Sequence, residues 1–266
     1  MKPILVTGGT GTLGREVVAR LLDAGQKVRV VSRRARPAGG PAPLTAMAVD
    51  LRDGEGIDAA VTGVDAIVHC ATMARADIRA ARNLIAAARR ASVPRLVYIS
   101  IVGVDRVPLR YYRAKLEVEQ LIEHSGLEWT ILRTTQFHDL VLRLSKALAR
   151  SPVMIVPART SVQPIDAGEV AGRLVELATT ARVGRVPDMG GPQVRSARDL
   201  ARAYLRASGR HRLVLPVRLP GAVFRGYRQG GHLAPERPAG RVTFEEFLAE
   251  RIPASRPGAA PMSRSQ

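Results

Sequence analysis

The segment Thr7-Gly8-Gly9-Thr10-Gly11-Thr12-Leu13-Gly14 follows the apolar run Ile4-Leu5-Val6 and leads straight into a helical pattern. Glycines at this spacing suit one task. They let main-chain N–H groups at a helix N-terminus approach a pyrophosphate, which any larger side chain would block. In this reading Gly9 permits the tight turn, Gly11 the close approach and Gly14 the packing of helix on strand. Gly8, Thr10, Thr12 and Leu13 complete the loop. A strand before and a helix after is the context that the spacing requires for a dinucleotide site. The choice of dinucleotide falls at the end of the second strand, where Asp or Glu would accept from the ribose 2′-hydroxyl of NAD. The residues there are Ser32-Arg33-Arg34. A guanidinium pairs with a 2′-phosphate in fork geometry, whereas a carboxylate would repel it. NADP(H) is therefore expected over NAD(H). Asp50-Leu51, after the third strand, is placed to contact the adenine. Ala71 and Thr72, after the fourth, should pass beneath the cofactor.

The elements that must hold these residues alternate along the chain. Ile4–Thr7, Lys27–Ser32, Ala46–Val49, Ala66–Cys70, Arg95–Ser100 and Trp129–Leu132 read as buried strands. Leu13–Ala24, Gly56–Val61, Ile78–Ala91 and Tyr112–His124 carry apolar residues at helical spacing. Continuous apolar strands alternating with helices predict an α/β fold, a Rossmann-type doubly wound parallel sheet covered on both faces. Residues 1–135 form this domain. Residues 136–252 are expected to be a small C-terminal α/β substrate lobe folded over the open edge of the sheet. Its helix starts are marked by Asp166 with Glu169, Ser196 with Asp199, and Thr243 with Glu246, each a candidate capping box. Ala35–Pro43 reads as a Pro/Gly loop and 253–266 as a flexible tail.

Composition narrows the function classes. With 46% hydrophobic and 24% charged residues, the 266-residue chain is ordinary for a globular protein. The single cysteine, Cys70, excludes an intramolecular disulfide and any multi-cysteine metal site. Five scattered histidines match no metal-ligand spacing, so no metal is expected. No run approaches the roughly 18 apolar residues of a membrane span, and the short run after Met1-Lys2-Pro3 does not suit a signal peptide. A cytoplasmic protein with no membrane partner is expected. The net charge of +18 and pI of 11.4 would suit nucleic acid, but the cations spread along the whole chain with arginine replacing lysine almost everywhere. That is the bias of a GC-rich coding sequence, and a nucleic-acid partner is not expected. Arg195, Arg198, Arg202 and Arg206 share one helix face, which reads as a solvated face with Leu200 and Tyr204 turned inward.

Several segments together resemble the short-chain dehydrogenase/reductase superfamily, in its atypical branch of NmrA-like NAD(P)H-binding proteins. They are the opening glycine loop, Leu96-Val97-Tyr98-Ile99-Ser100-Ile101-Val102-Gly103, Tyr111-Tyr112-Arg113-Ala114-Lys115, Trp129-Thr130-Ile131-Leu132-Arg133, Pro164-Ile165-Asp166 and Thr243-Phe244-Glu245-Glu246-Phe247-Leu248. The resemblance implies a proton-donating tyrosine, a lysine one turn later that lowers its pKa and binds the nicotinamide ribose, and a serine that orients the substrate oxygen. Tyr111, Lys115 and Ser100 answer to these roles. Tyr111 and Lys115 stand at i, i+4, on one helix face, and Ser100 ends a strand at the sheet edge where such folds hold ligands. Tyr112 remains an alternative acid. Lysine occurs only at positions 2, 27, 115 and 146, so its retention at 115 hints at a need for a compact ammonium. The family's active-site asparagine is matched by Asp77, while Asn83 is expected to pack. Thr134, with Thr135, Gln136 and Phe137, should line the nicotinamide pocket.

These readings converge on an NADP(H)-dependent oxidoreductase that moves a hydride to or from a small carbonyl, quinone or similar molecule. Two alternatives stand beside it: a non-catalytic NADP(H)-binding redox sensor, and an epimerase or dehydratase acting on a nucleotide sugar. A small-molecule substrate is the expected partner, and a homodimer is compatible with the sequence.

Overall fold

The computed structural model describes residues 1–33, 43–72, 76–180 and 183–252. The expected tail, Arg34, and the Ala35–Pro43 loop apart from Pro43 lie outside them. Short Val/Ile-rich runs form β1 (Ile4–Thr7), β2 (Val28–Ser32), β3 (Leu44–Ala48), β4 (Ala66–His69), β5 (Arg95–Ile101) and β6 (Glu128–Thr134). Between them lie α1 (Thr12–Asp23), α2 (Ile57–Val61), α3 (Asp77–Arg90) and α4 (Arg110–Glu123). The order across the sheet is β3-β2-β1-β4-β5-β6, every pair parallel. Winding therefore reverses between β1 and β4, and a ligand crevice opens at their carboxyl ends. On one face α2, α3 and α4 pack around Leu84, Val118 and Ile131.

The other face is covered by elements from beyond residue 135. After α5 (His138–Leu148), β7 (Val153–Pro157) and β8 (Ser161–Val162) comes α6 (Ala167–Thr179), then β9 (Gly184–Arg185). The helix α6 lies beside α1 and shares its core through Val170, Leu174 and Val17, and β9 adds a seventh parallel strand beyond β6. Both α6 and β9 thus join the sheet's layers from beyond residue 135. A parallel sheet needs both faces covered, and α1 alone cannot cover the second.

The remainder comprises β10 (Arg195–Ser196), α7 (Ala197–Ala207), β11 (Leu213–Val217), α8 (Ala222–Arg228) and α9 (Phe244–Arg251). With α5 and β7, the elements α7, β11 and α9 build a second core around Met154, Leu200, Tyr204 and Phe247, while Val223 and Tyr227 of α8 pack on Val104, Val107 and Tyr112. Thr243 and Glu246 form the full capping box of α9. Asp166 caps α6, but Glu169 does not reciprocate: its carboxylate accepts from the N–H groups of Arg241 and Val242 instead. At α7 the Ser196 hydroxyl caps Asp199 and donates to its carboxylate. Arg198, Arg202 and Arg206 are exposed and Leu200 and Tyr204 buried, as the spacing predicts.

The helix α4 is locked to the sheet by a buried ion pair. Arg133 on β6 donates to both oxygens of Glu119, at 2.8 and 2.5 Å, and to Asp105 at 2.7 Å. Glu119 stands one turn beyond Lys115, so the pair fixes the face on which Tyr111 and Lys115 sit. Glu119→Ala should lower unfolding stability by about 3 kcal/mol, the lower end for a broken buried pair because Asp105 still holds the guanidinium. Denaturant melts read this, and an unchanged midpoint would contradict it.

Candidate functional site

The crevice between β1 and β4 is a cleft of about 860 Å³ that runs from the end of β2 past the glycine loop to α4. Gly8, Thr10, Gly11, Thr12, Leu13 and Gly14 line its middle. The turn is made by Gly8, at φ +68°, and not by Gly9. A Cβ at Gly8 would lie 2.8 Å from Ala71 Cα, so the loop rests directly on the start of the β4 connection. Gly9 packs instead on Val30 of β2 and does not line the cleft. Thr7 braces this floor. Its hydroxyl accepts from Ala71 N–H and bonds His69 Nδ1 at 2.7 Å. The helix α1 starts at Gly11 with no side-chain cap, which leaves its first N–H groups to an incoming anion.

At one end stand Ser32 and Arg33, with Val49 and Leu51 from the β3 connection. Asn83 packs as expected, and its amide clamps that connection by donating to the carbonyls of Leu51 and Arg52. Asp50 does not line the cleft. Its carboxylate is held by Arg52, whose hydrogen bonds pull it down to about 2. Leu51 and Val49 line that end of the cleft in its place.

At the other end Ala71, Thr72, Ser100, Tyr111, Tyr112, Lys115 and Thr134 come together. The Tyr111 hydroxyl lies 3.5 Å from Thr72 Oγ1. Lys115 is 2% exposed, with its ammonium over the rings of Tyr98 and Tyr111 at 4.8 and 6.0 Å. Burial pulls the Lys115 ammonium below its ordinary value, against the opposing pull of Asp77, Cys70 and Glu119. Burial also raises the Tyr111 phenol, only partly offset by Thr72. Asp77, first residue of α3, is buried near both. Tyr112 is engaged elsewhere: Gln136 Nε2 donates to its hydroxyl at 3.1 Å.

Two observations test whether a dinucleotide suits this cleft. The hydroxyl oxygens of Ser32 and Ser100, one at each end, are buried with no partner among the described residues, so each can bond to a ligand. Among the described residues the lining includes three cations, Arg33, Lys115 and Arg143, and no carboxylate. Such a field attracts a polyanion. The residues fit.

Sequence reasoning missed several neighbours. His69 and Tyr98 stack at 5.4 Å beneath Lys115, and burial keeps the imidazole neutral with a pKa of about 3. Leu140, Arg143 and Tyr227 complete the cleft from α5 and α8. Their positions depend on tertiary packing, which no local pattern encodes. Among the described residues no helix is long and apolar enough to cross a membrane, and no cluster of His, Cys, Asp or Glu is placed to hold a metal ion.

A sequence profile described as NAD(P)H-binding matches residues 8–140. The chain is 30% identical to an NAD(P)H azoreductase of Xenophilus azovorans, across 78% of this chain and 74% of that protein. It is 32% identical to a (4-alkanoyl-5-oxo-2,5-dihydrofuran-3-yl)methyl phosphate reductase of Streptomyces griseus subsp. griseus, with the same coverage, 78% and 74%. Its fold matches that of an NADPH-dependent quinone oxidoreductase from Escherichia coli crystallised with NADPH. The TM-score is 0.79 at 21% identity, over 93% of this chain and 99% of that one.

Proposed function

This chain belongs to the NAD(P)H-binding family, and on that premise we propose that it is an NADP(H)-dependent oxidoreductase reducing a small carbonyl, quinone or similar acceptor. The observation that carries the reading is the pair of unpartnered hydroxyls, Ser32 and Ser100, at opposite ends of a cationic cleft floored by the glycine loop. A reduced nicotinamide bound in the cleft would supply the hydride.

The chain's own groups supply the rest. The N-terminus of α1 takes the pyrophosphate, and Ser32 with Arg33 takes the 2′-phosphate. Ser100 Oγ donates to the substrate oxygen and fixes its place. Tyr111, a phenol protonated at neutral pH and raised further by burial, gives its phenolic proton to that oxygen as charge develops there. The Lys115 ammonium, 6.0 Å from the ring, steadies the phenolate left behind and meets the nicotinamide ribose. Near neutrality the phenol carries the proton that reduction of an acceptor consumes.

A panel of aldehydes, ketones and quinones tested by loss of NADPH absorbance decides the reaction class. Turnover by the wild type that is lost in the Tyr111→Phe, Lys115→Met double variant supports the proposal. Tight binding with no turnover of any acceptor would leave the non-catalytic sensor. Cofactor preference has its own test. Arg33→Ala should weaken NADPH binding about 10- to 100-fold, the worth of a charge-assisted hydrogen bond, and leave NADH binding nearly unchanged. Equal losses for both would contradict the role given to Arg33.

A further inference from the structure

Beyond the nicotinamide end of the cleft lies a second chamber of about 240 Å³. Gln136, Leu140 and Tyr227 line both spaces and so form the passage between them. The chamber is walled by Val141, Leu148, Val156 and Leu200 among others, and among the described residues no charged one lines it. That is notable in a chain that is 24% charged, and it contrasts with the three cations of the cleft next door. Two polar atoms in the wall, Gln136 Oε1 and His232 Nδ1, are buried without a partner among the described residues. His232 Nε2 bonds to Ser161 O at 2.8 Å, and burial holds its imidazole below the ordinary value and hence neutral. The passage is braced from both sides. Gln136 donates to Tyr112 at 3.1 Å, and Tyr227 meets the rings of Tyr112 and His232 edge-on at 6.5 and 4.6 Å.

We propose that this chamber receives a hydrocarbon arm attached to the reducible group, so that the substrates are carbonyls or quinones bearing an alkyl or acyl chain. The assignment rests on the oxidoreductase reading for the head group alone. With the oxygen held at Ser100 and Tyr111, the arm leaves the polar cleft between Gln136, Leu140 and Tyr227 and is desolvated beyond them. Leu144 and Leu148, 54% and 37% exposed, form the outer rim on α5.

The test is calorimetric binding of a series of 2-(n-alkyl)-1,4-naphthoquinones to protein saturated with NADP⁺, where no turnover is needed. Affinity should rise about fourfold per added methylene, as for apolar burial, and level off when the chamber is full. Leu144→Glu and Leu148→Glu, both on the exposed face of α5 and outside the catalytic machinery, should flatten this rise. They should leave the unsubstituted ring bound as before. A wild-type series with no length dependence, no binding at any length, or a slope unaltered in both variants would overturn the proposal. Turnover of these quinones with NADPH is scored separately. A length dependence without turnover would leave the chamber's assignment intact, and the oxidoreductase reading fails only if the full panel of aldehydes, ketones and quinones is also not turned over.

Discussion

Tyr111→Phe should lower kcat/KM for reduction about 10²- to 10⁴-fold, the range for loss of a positioned general acid, with NADPH affinity unchanged. The phenol lines the cleft beside Ser100, above a buried ammonium, and its proton is the one that the nascent alkoxide can take. Removing one oxygen deletes that proton and leaves the ring that packs on Lys115. Tyr112→Phe is the control. Its hydroxyl is already bonded to Gln136, so the expected loss is about tenfold or less, the worth of a neutral hydrogen bond. A larger effect at Tyr112 than at Tyr111 would reverse the assignment. The pH profile follows from the same groups. Both Tyr111 and Lys115 must be protonated, so activity falls as pH rises. The limb is set by whichever of the two loses its proton first, and burial lowers the Lys115 value while raising that of Tyr111. Its midpoint should therefore lie below the ordinary lysine range, with no change between about pH 5 and 8, where unperturbed histidine would titrate but neutral His69 does not. An acid limb in that window would contradict the account.

Gly14→Ala should weaken binding of both nicotinamide cofactors about a hundredfold or more, the cost of a strained, displaced loop. The added Cβ would lie 2.1 Å from Gly8 O and 2.7 Å from Gly9 Cα. All the nearest atoms are backbone, so relief requires moving the loop itself and, with it, the N–H groups that face the pyrophosphate. Gly172→Ala, whose Cβ on α6 meets open space, should bind normally and melt no lower than wild type. A thermal melt of Gly14→Ala separates a displaced loop from an unfolded chain. Normal binding by a folded Gly14→Ala protein would mean that the phosphates lie elsewhere.

Much of this architecture is legible in the sequence because parallel strands and amphipathic helices carry local signatures. The six strands and four helices up to residue 134 follow from apolar runs such as Ala66–His69 and from spacing such as Leu84, Ala88 and Ala81 on α3. Thr243 with Glu246 announces its helix because a capping box is a local device. What is not legible depends on tertiary demand. Two-residue β9 is too short to show periodicity. The packing of α6 on α1 answers the need to cover the sheet's second face, which no residue of α6 states. The turn passes from Gly9 to Gly8 because either spacing fits a glycine-rich turn, and only the backbone shows which residue takes positive φ. Asp50 carries the right chemistry for an adenine contact, but Arg52, two residues on, claims its carboxylate. The site's distant walls, Arg143 on α5 and Tyr227 on α8, belong to elements far along the chain that tertiary packing brings in.

Calorimetric titration of the intact chain with NADPH and with NADH tests the central claim most directly. The account predicts one site per chain for either reduced cofactor, with NADPH the tighter and its advantage lost in Arg33→Ala. Absence of heat and of saturation with both nucleotides would contradict it, because the glycine loop, the cationic cleft and the unpartnered serines would then have no common ligand.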